Sequence, residues 1–146
     1  MDDPGELVAG ELTLRFERFA PHPVHKVSTY YFRMVHSETG AELGSINLRI
    51  GDSAHIERYA GHVGYTVHEL HRGHRYAARA LRLLVPLAGE LGIDPLWITC
   101  DPENKASQRI LELAGSEFVE VVDVPRECVI FRNGKARKCR YRLLSH

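Results

Sequence analysis

The chain has 146 residues, 44% of them hydrophobic and 26% charged, enough for one domain with its own core. Lysine plus arginine equals aspartate plus glutamate at 19 each, so the formal net charge is zero and bulk charge gives no support to a nucleic-acid or anionic-membrane role. No apolar run approaches bilayer length, the acidic start Met1-Asp2-Asp3-Pro4 does not read as a signal peptide, and the scattered Cys100, Cys128 and Cys139 form no disulfide framework, so a reducing cytoplasm is the expected compartment.

The first half reads as strands. Residues Leu12 to Phe19 alternate apolar and polar, and Pro21 and Pro23 close that run. A second strand is predicted from Val27 to Val35, and a third from Glu42 to Ile50 after the turn Ser37-Glu38-Thr39-Gly40. The turn Gly51-Asp52-Ser53 precedes a fourth strand over His62 to Val67. The pattern then changes period. Ala77, Ala80, Leu81, Leu84, Ala88 and Leu91 mark one face of an amphipathic helix, with Arg75, Arg79 and Arg82 opposite. Pro86 falls four residues after Arg82 on the solvent face, where a proline bends a helix without ending it, and Gly92 stops it. Leu96 to Cys100 is the fifth strand. Strand, helix and strand make a βαβ crossover, which predicts a parallel pair. A second helix is expected from Lys105 to Ala114, capped by Asn104 and followed by Gly115. Glu117 to Val122 and Lys138 to Leu144 close the chain as strands six and seven around the turn Arg132-Asn133-Gly134.

The segment with the most chemical content is the loop from Glu69 to Ala78, between the fourth strand and the long helix. A glycine-containing turn into a helix start leaves backbone N–H groups unpaired and pointing one way. The helix dipole adds positive potential, and the two together suit a pyrophosphate. Arg72, His74, Arg75 and Arg79 flank it. His68, His71 and His74 recur at every third position, but no cysteine or paired carboxylate joins them, so no metal site is expected.

These residues resemble the signature of the GNAT family of N-acetyltransferases: Arg or Gln, two residues, Gly, one residue, then Gly or Ala. Arg72 matches the first position and Ala77 the last. Arg75 stands where the family has glycine, and is expected to hold helical backbone that a side chain tolerates. Trp97 to Ser107 resembles the family's fifth strand followed by Asn-x-x-Ser, and Leu111-Glu112-Leu113-Ala114-Gly115 the helix end beyond it. The two motifs lie about 30 residues apart, as a βαβ unit requires.

The resemblance implies an α/β (α+β) fold over residues 1–146 as one domain. It would be a GNAT-like mixed, mostly antiparallel sheet of about seven strands, with a central parallel βαβ pair and two main helices. It also implies acetyl-CoA as acyl donor, no metal, and an amine acceptor. By position, the backbone of Thr66 and Val67 would pair with the pantetheine arm. The amides of Arg72, Gly73, His74, Arg75, Tyr76 and Ala77 would hold the pyrophosphate, and Asn104 and Ser107 would meet the pantetheine or phosphate region. The resemblance also implies a tyrosine that protonates the departing thiolate in many members; the aligned position here is Leu111 or a neighbour, none of them tyrosine, so the proton comes from elsewhere, with Cys100 and Tyr141 as candidates, or from water.

The chemistry needs a deprotonated amine, a held thioester and a donor for the oxyanion. A backbone N–H near Val67 is the expected donor, and His62 and Glu57 are the candidate bases; His62 has the better resting pKa near neutrality. The family's helices between strands one and two are reduced or absent, since only Ala20 to Lys26 lies there, with two prolines. The acceptor side should therefore be open, with the tail from Val124 to Lys138 or a second copy of the chain, as a homodimer, available to cover it. The expected function is acetyl-CoA-dependent N-acetyl transfer, with a non-catalytic acyl-CoA-binding module as the alternative.

Overall fold

The computed structural model describes residues 5–144; the acidic start at residues 1–4 lies outside them. Five strands form one antiparallel sheet in chain order: β1 (Leu7–Ala9), β2 (Leu12–Pro21), β3 (Ser28–His36), β4 (Glu42–Arg49) and β5 (Val63–Val67). Three more, β6 (Leu96–Cys100), β7 (Glu117–Asp123) and β8 (Arg137–Leu143), form a second sheet in the order β6-β8-β7. The helices are α1 (Tyr76–Glu90), α2 (Lys105–Leu113) and a short α3 (Val129–Arg132). The α+β architecture, with antiparallel sheets and few helices, is the expected one. β1 is additional: three residues are too short to show periodicity, and only pairing with β2 reveals it.

The predicted parallel pair is modified. β5 and β6 meet at their starts, where the His62 N–H donates to Trp97 O at 2.6 Å. They then separate, and no strand ladder joins them among the described residues. The separation opens a groove. On the other edge of β5 the fit is tight: a Cβ on Gly44 would lie 2.1 Å from Thr66 O. Glycine at that position lets β4 and β5 close and fixes one wall of the groove.

α1 packs its apolar stripe on the sheet. Leu81 and Leu84 are fully buried against residues such as Leu12, Phe32 and Ile46, each worth ~1.5–3 kcal/mol in removed apolar surface. Pro86 is exposed and α1 continues to Glu90, as its place on the solvent face predicts. Between β4 and β5 lies a π-helical turn, His55–Ala60, that no sequence pattern announces. Long-range bonds hold it: Thr99 Oγ1 donates to Tyr59 O at 2.9 Å, and Arg49 Nη1 to Ala60 O and Gly61 O at 2.9 Å each.

Candidate active site

The groove between β5 and β6 has a volume of about 590 Å³ and is walled by β5, β6, α2 and the tail. Thr66, Val67, Arg72, Asn104 and Ser107, all expected there, line it. The backbone of β5 decides what it offers. His68 N–H donates to Leu43 O and Arg49 N–H to His62 O. Partners alternate along an antiparallel ladder, so Thr66 turns its peptide groups toward β4, while Tyr65 and Val67 turn theirs into the groove. The expected pair Thr66–Val67 is thus corrected to Tyr65–Val67, with Thr66 contributing its side chain. The Val67 carbonyl accepts from Arg72 Nε at 3.2 Å.

At the far end of β5 a 3₁₀ turn, Glu69–His71, leads into the loop and α1. The first turn of α1 begins with Arg79 N–H donating to Arg75 O at 3.0 Å. The amides of Tyr76, Ala77 and Ala78 precede that bond and point out of the helix start. Gly73 has φ of 95°. Arg75 departs from expectation: it caps α1 in the left-handed region, φ 61° and ψ 26°, and its side chain makes no cap bond. The family's glycine is explained by that conformation, which costs a side-chain-bearing residue ~1–2 kcal/mol. His74 stacks its ring on the buried Tyr76 at 5.3 Å. Arg79 is spent elsewhere, on Glu11 Oε1 at 2.8 Å and Ala9 O at 3.3 Å.

Asn104 caps α2, its Oδ1 accepting from Ser107 N–H at 3.0 Å. Leu111 is wholly buried in the core. A hydroxyl reaches the groove from the opposite wall instead: Tyr65 Oη lies 2.6 Å from Ser107 Oγ. Burial raises the Tyr65 pKa, partly offset by the Ser107 bond, so the phenol keeps its proton at neutral pH. Cys100 also lines the groove, but burial and Cys139 push its thiol up to about 11. Tyr141 is buried.

The two expected bases are corrected. Neither His62 nor Glu57 lines the groove; both border a smaller cavity of about 350 Å³ behind β6. His62 is 3% exposed. Its Nδ1 accepts the Trp97 N–H at 2.9 Å, and its Nε2 donates to Gly51 O at 2.9 Å. Burial lowers its pKa, against the Gly51 bond and the Glu57 charge. With both ring nitrogens bonded, His62 pins β5 to β6 at the point from which they diverge. Glu57 receives Arg140 on its backbone carbonyl.

At this end of the groove stand residues that sequence reading did not single out. His25 Nδ1 lies 2.7 Å from His55 Nε2, and His55 Nδ1 lies 3.5 Å from Cys128 Sγ. Burial, with the Arg49 charge, pushes His25 down to about 3 and lowers His22 and His55. The tail closes over this end through Ile130 and Lys138.

This combination of splayed strands, open helix start and capped second helix matches a known family. The acetyltransferase (GNAT) domain model covers residues 7–117. The chain belongs to the GNAT acetyltransferase family. Solved GNAT structures share its fold. One is the ribosomal-protein-S5-alanine acetyltransferase from Vibrio fischeri, with TM-score 0.67, 13% identity and 96% of each chain covered. A second is the spermidine N-acetyltransferase from Vibrio cholerae in complex with CoA and spermine, with TM-score 0.60, 13% identity, and 83% of this chain and 68% of that one covered. A third is the GNAT-family acetyltransferase from Bacillus anthracis, with TM-score 0.62, 19% identity and 79% of this chain covered. This chain spans 66% of that protein's length. No curated protein sequence matches the chain. In this chain Arg75 holds a left-handed position, Leu111 is buried in the core, Tyr65 turns its hydroxyl into the groove, and among the described residues no helix lies between β2 and β3.

Proposed function

We propose that the protein transfers the acetyl group of acetyl-CoA to a primary amine by direct attack on the thioester. The observation that carries this reading is the groove itself. It runs from Arg72, which leads into the loop before α1 and whose neighbours Gly73 to Ala77 do not themselves line it, past the inward-facing peptide groups of Val67 and Tyr65, to an end lined by His25 and Arg49. A diphosphate fits the first part, where helix-start amides and Arg72 supply positive potential. An extended amide-containing arm fits the second, where it would complete the free edge of β5 as a strand does. The Val67 N–H points inward and is the donor for the oxyanion.

Tyr65 takes the part of the missing tyrosine. Its hydroxyl is fixed by Ser107 and stays protonated, so it can give its proton to the sulfur as the thioester collapses. His25 is the one histidine lining the groove among the described residues, and burial pushes its pKa down to about 3. The amine therefore enters in its neutral form, and the enzyme's contribution is orientation of the two reactants.

Release of free CoA thiol from acetyl-CoA, measured against a panel of amines, tests this. Amine-dependent thiol release, with one N-acetylated amine formed for each CoA thiol freed, is the expected result. Tight CoA binding with no amine-dependent release would assign the chain to a non-catalytic binding module.

A further inference from the structure

One buried cation in the groove has no counter-ion among the described residues. Arg49 is 8% exposed. Its Nη1 is spent on the carbonyls of Ala60 and Gly61, and its Nε is buried with no hydrogen-bond partner. Burial pulls its pKa to about 10, so it remains charged at neutral pH.

The surroundings repeat the pattern. Tyr31, Asn47 and Gly64 are successive register partners across β3, β4 and β5. Tyr31 Oη and Asn47 Oδ1 are also buried without a partner. A Cβ on Gly64 would lie 2.6 Å from Arg49 Nη2 and 3.3 Å from Asn47 Nδ2. Glycine there makes the room in which these groups converge. Buried polar groups are nearly always paired, so three unsatisfied ones on one sheet face mark a place built for something else to complete: Arg49 lines the groove, and outside its lining stand Asn47, two residues earlier on β4, and Tyr31 opposite Asn47.

The charge balance says what that is. Asp101 is the sole carboxylate lining the groove among the described residues, and it is taken by Lys135 at 2.8 Å and Lys138 at 3.1 Å. Burial lowers the pKa of His22, His25 and His55. A polycationic amine finds no free negative group here and meets Arg49. The subsite also lies at the right end. Arg49 bonds to His62, just before β5, and Arg72 follows its close, so at about 3.3 Å per residue the strand sets them ~15 Å apart. The phosphate end and the Arg49 end are therefore opposite ends of the groove.

Resting on the acetyl-transfer reading above, we propose that the acceptor amine carries a carboxylate, as an amino acid does, and that Arg49 holds it, with Tyr31 and Asn47 as further hydrogen-bond donors. A guanidinium pairs with a carboxylate through two parallel N–H···O bonds, which also orients the amine beside it. Asn47 can present either end of its amide.

The test compares amines that differ only in that charge: leucine with leucinamide, and lysine with cadaverine, plus an aminoalkyl phosphonate to tell a carboxylate subsite from a general anion site. Wild-type kcat/KM should favour each carboxylate over its uncharged partner at least 10-fold. Arg49→Gln should erase that preference while leaving KM for acetyl-CoA within about 3-fold, and Arg49→Lys should retain part of it. Calorimetric binding of the amino acids to the CoA-saturated protein reads the same subsite without turnover, and should be lost in Arg49→Gln. Equal or better use of the amides or of cadaverine by wild-type protein overturns the subsite but leaves acetyl transfer standing. So does a phosphonate preferred over every carboxylate. Absence of carboxylate binding to wild-type protein overturns the subsite even where no amine is acetylated. These wild-type comparisons decide the matter if the Arg49→Gln protein does not fold.

Discussion

Substitution of His62 separates a structural histidine from a catalytic one. In His62→Ala the Trp97 N–H loses its acceptor and the Gly51 carbonyl its donor, both at 2.9 Å in the wild type. A buried group left unsatisfied costs ~1–3 kcal/mol, and the Gly51 carbonyl regains part of its loss from water because that residue is half-buried. The sum is about 2–5 kcal/mol. For a domain near this size, each kcal/mol moves Tm by ~2–4 °C, so the melting temperature should fall by ~5–15 °C. His62→Gln, which keeps an acceptor and a donor, should recover part of that fall. Thermal melts paired with initial rates taken well below the melting range measure both effects. The kcat at low temperature should stay within about 10-fold of wild type, since the ring does not reach the groove. A Tm within 2 °C of wild type together with a loss in kcat of more than about 10²-fold would refute the reasoning and restore His62 as the base.

Other consequences are equally direct. Tyr65→Phe should lower kcat by about 10²-fold, the low end for a general acid because a thiolate is already an adequate leaving group, with KM for acetyl-CoA little changed; an unaltered kcat would remove Tyr65 from the mechanism. Arg75→Gly relieves a left-handed side-chain-bearing residue (~1–2 kcal/mol) but frees the unfolded chain (~0.4–1 kcal/mol), so denaturant melts should show stability unchanged or raised by up to ~1.6 kcal/mol. A loss of more than 1 kcal/mol would contradict the assigned backbone. Acid should destabilise the fold early. His22, His25, His55 and His62 all have pKa values lowered in the fold from 6.5. Below about pH 6.5 the unfolded chain therefore binds protons that the folded chain refuses, and stability falls with pH. The carboxylates with lowered pKa, Glu11, Glu17 and Asp101, act in the same direction only below about pH 4.5. Tm should thus decline already between pH 6.5 and 5, and a flat profile there would show that the histidines are not buried as described.

The parts of this structure that depend on neighbours in sequence were legible from it. The apolar spacing gave α1 with its tolerated Pro86, Asn104 announced the cap of α2, and the glycine-containing loop after Arg72 marked where α1 begins. What was not legible depends on pairings across the chain. His62 reads as a free imidazole until Trp97, 35 residues later, is seen to donate to it. Tyr65 reads as one more strand residue until Ser107, 42 residues away, turns its hydroxyl into the groove. Arg49 looks like an ordinary strand-end cation, and only the fold removes its water and withholds a carboxylate. Arg75 is a subtler case. The missing glycine was visible, but the helical backbone expected in its place is not the one adopted, because the chain must still reverse at that point to enter α1.

The measurement that bears most directly on the account is a crystal structure with CoA bound. The pyrophosphate should lie on the amides of residues 73 to 78, the pantetheine arm should pair with the inward peptide groups of Val67 and Tyr65, and the sulfur should come within reach of Tyr65 Oη, with Arg49 exposed beyond it. CoA bound outside the β5–β6 groove, or with its sulfur directed toward His62 and Glu57 behind β6, would contradict it.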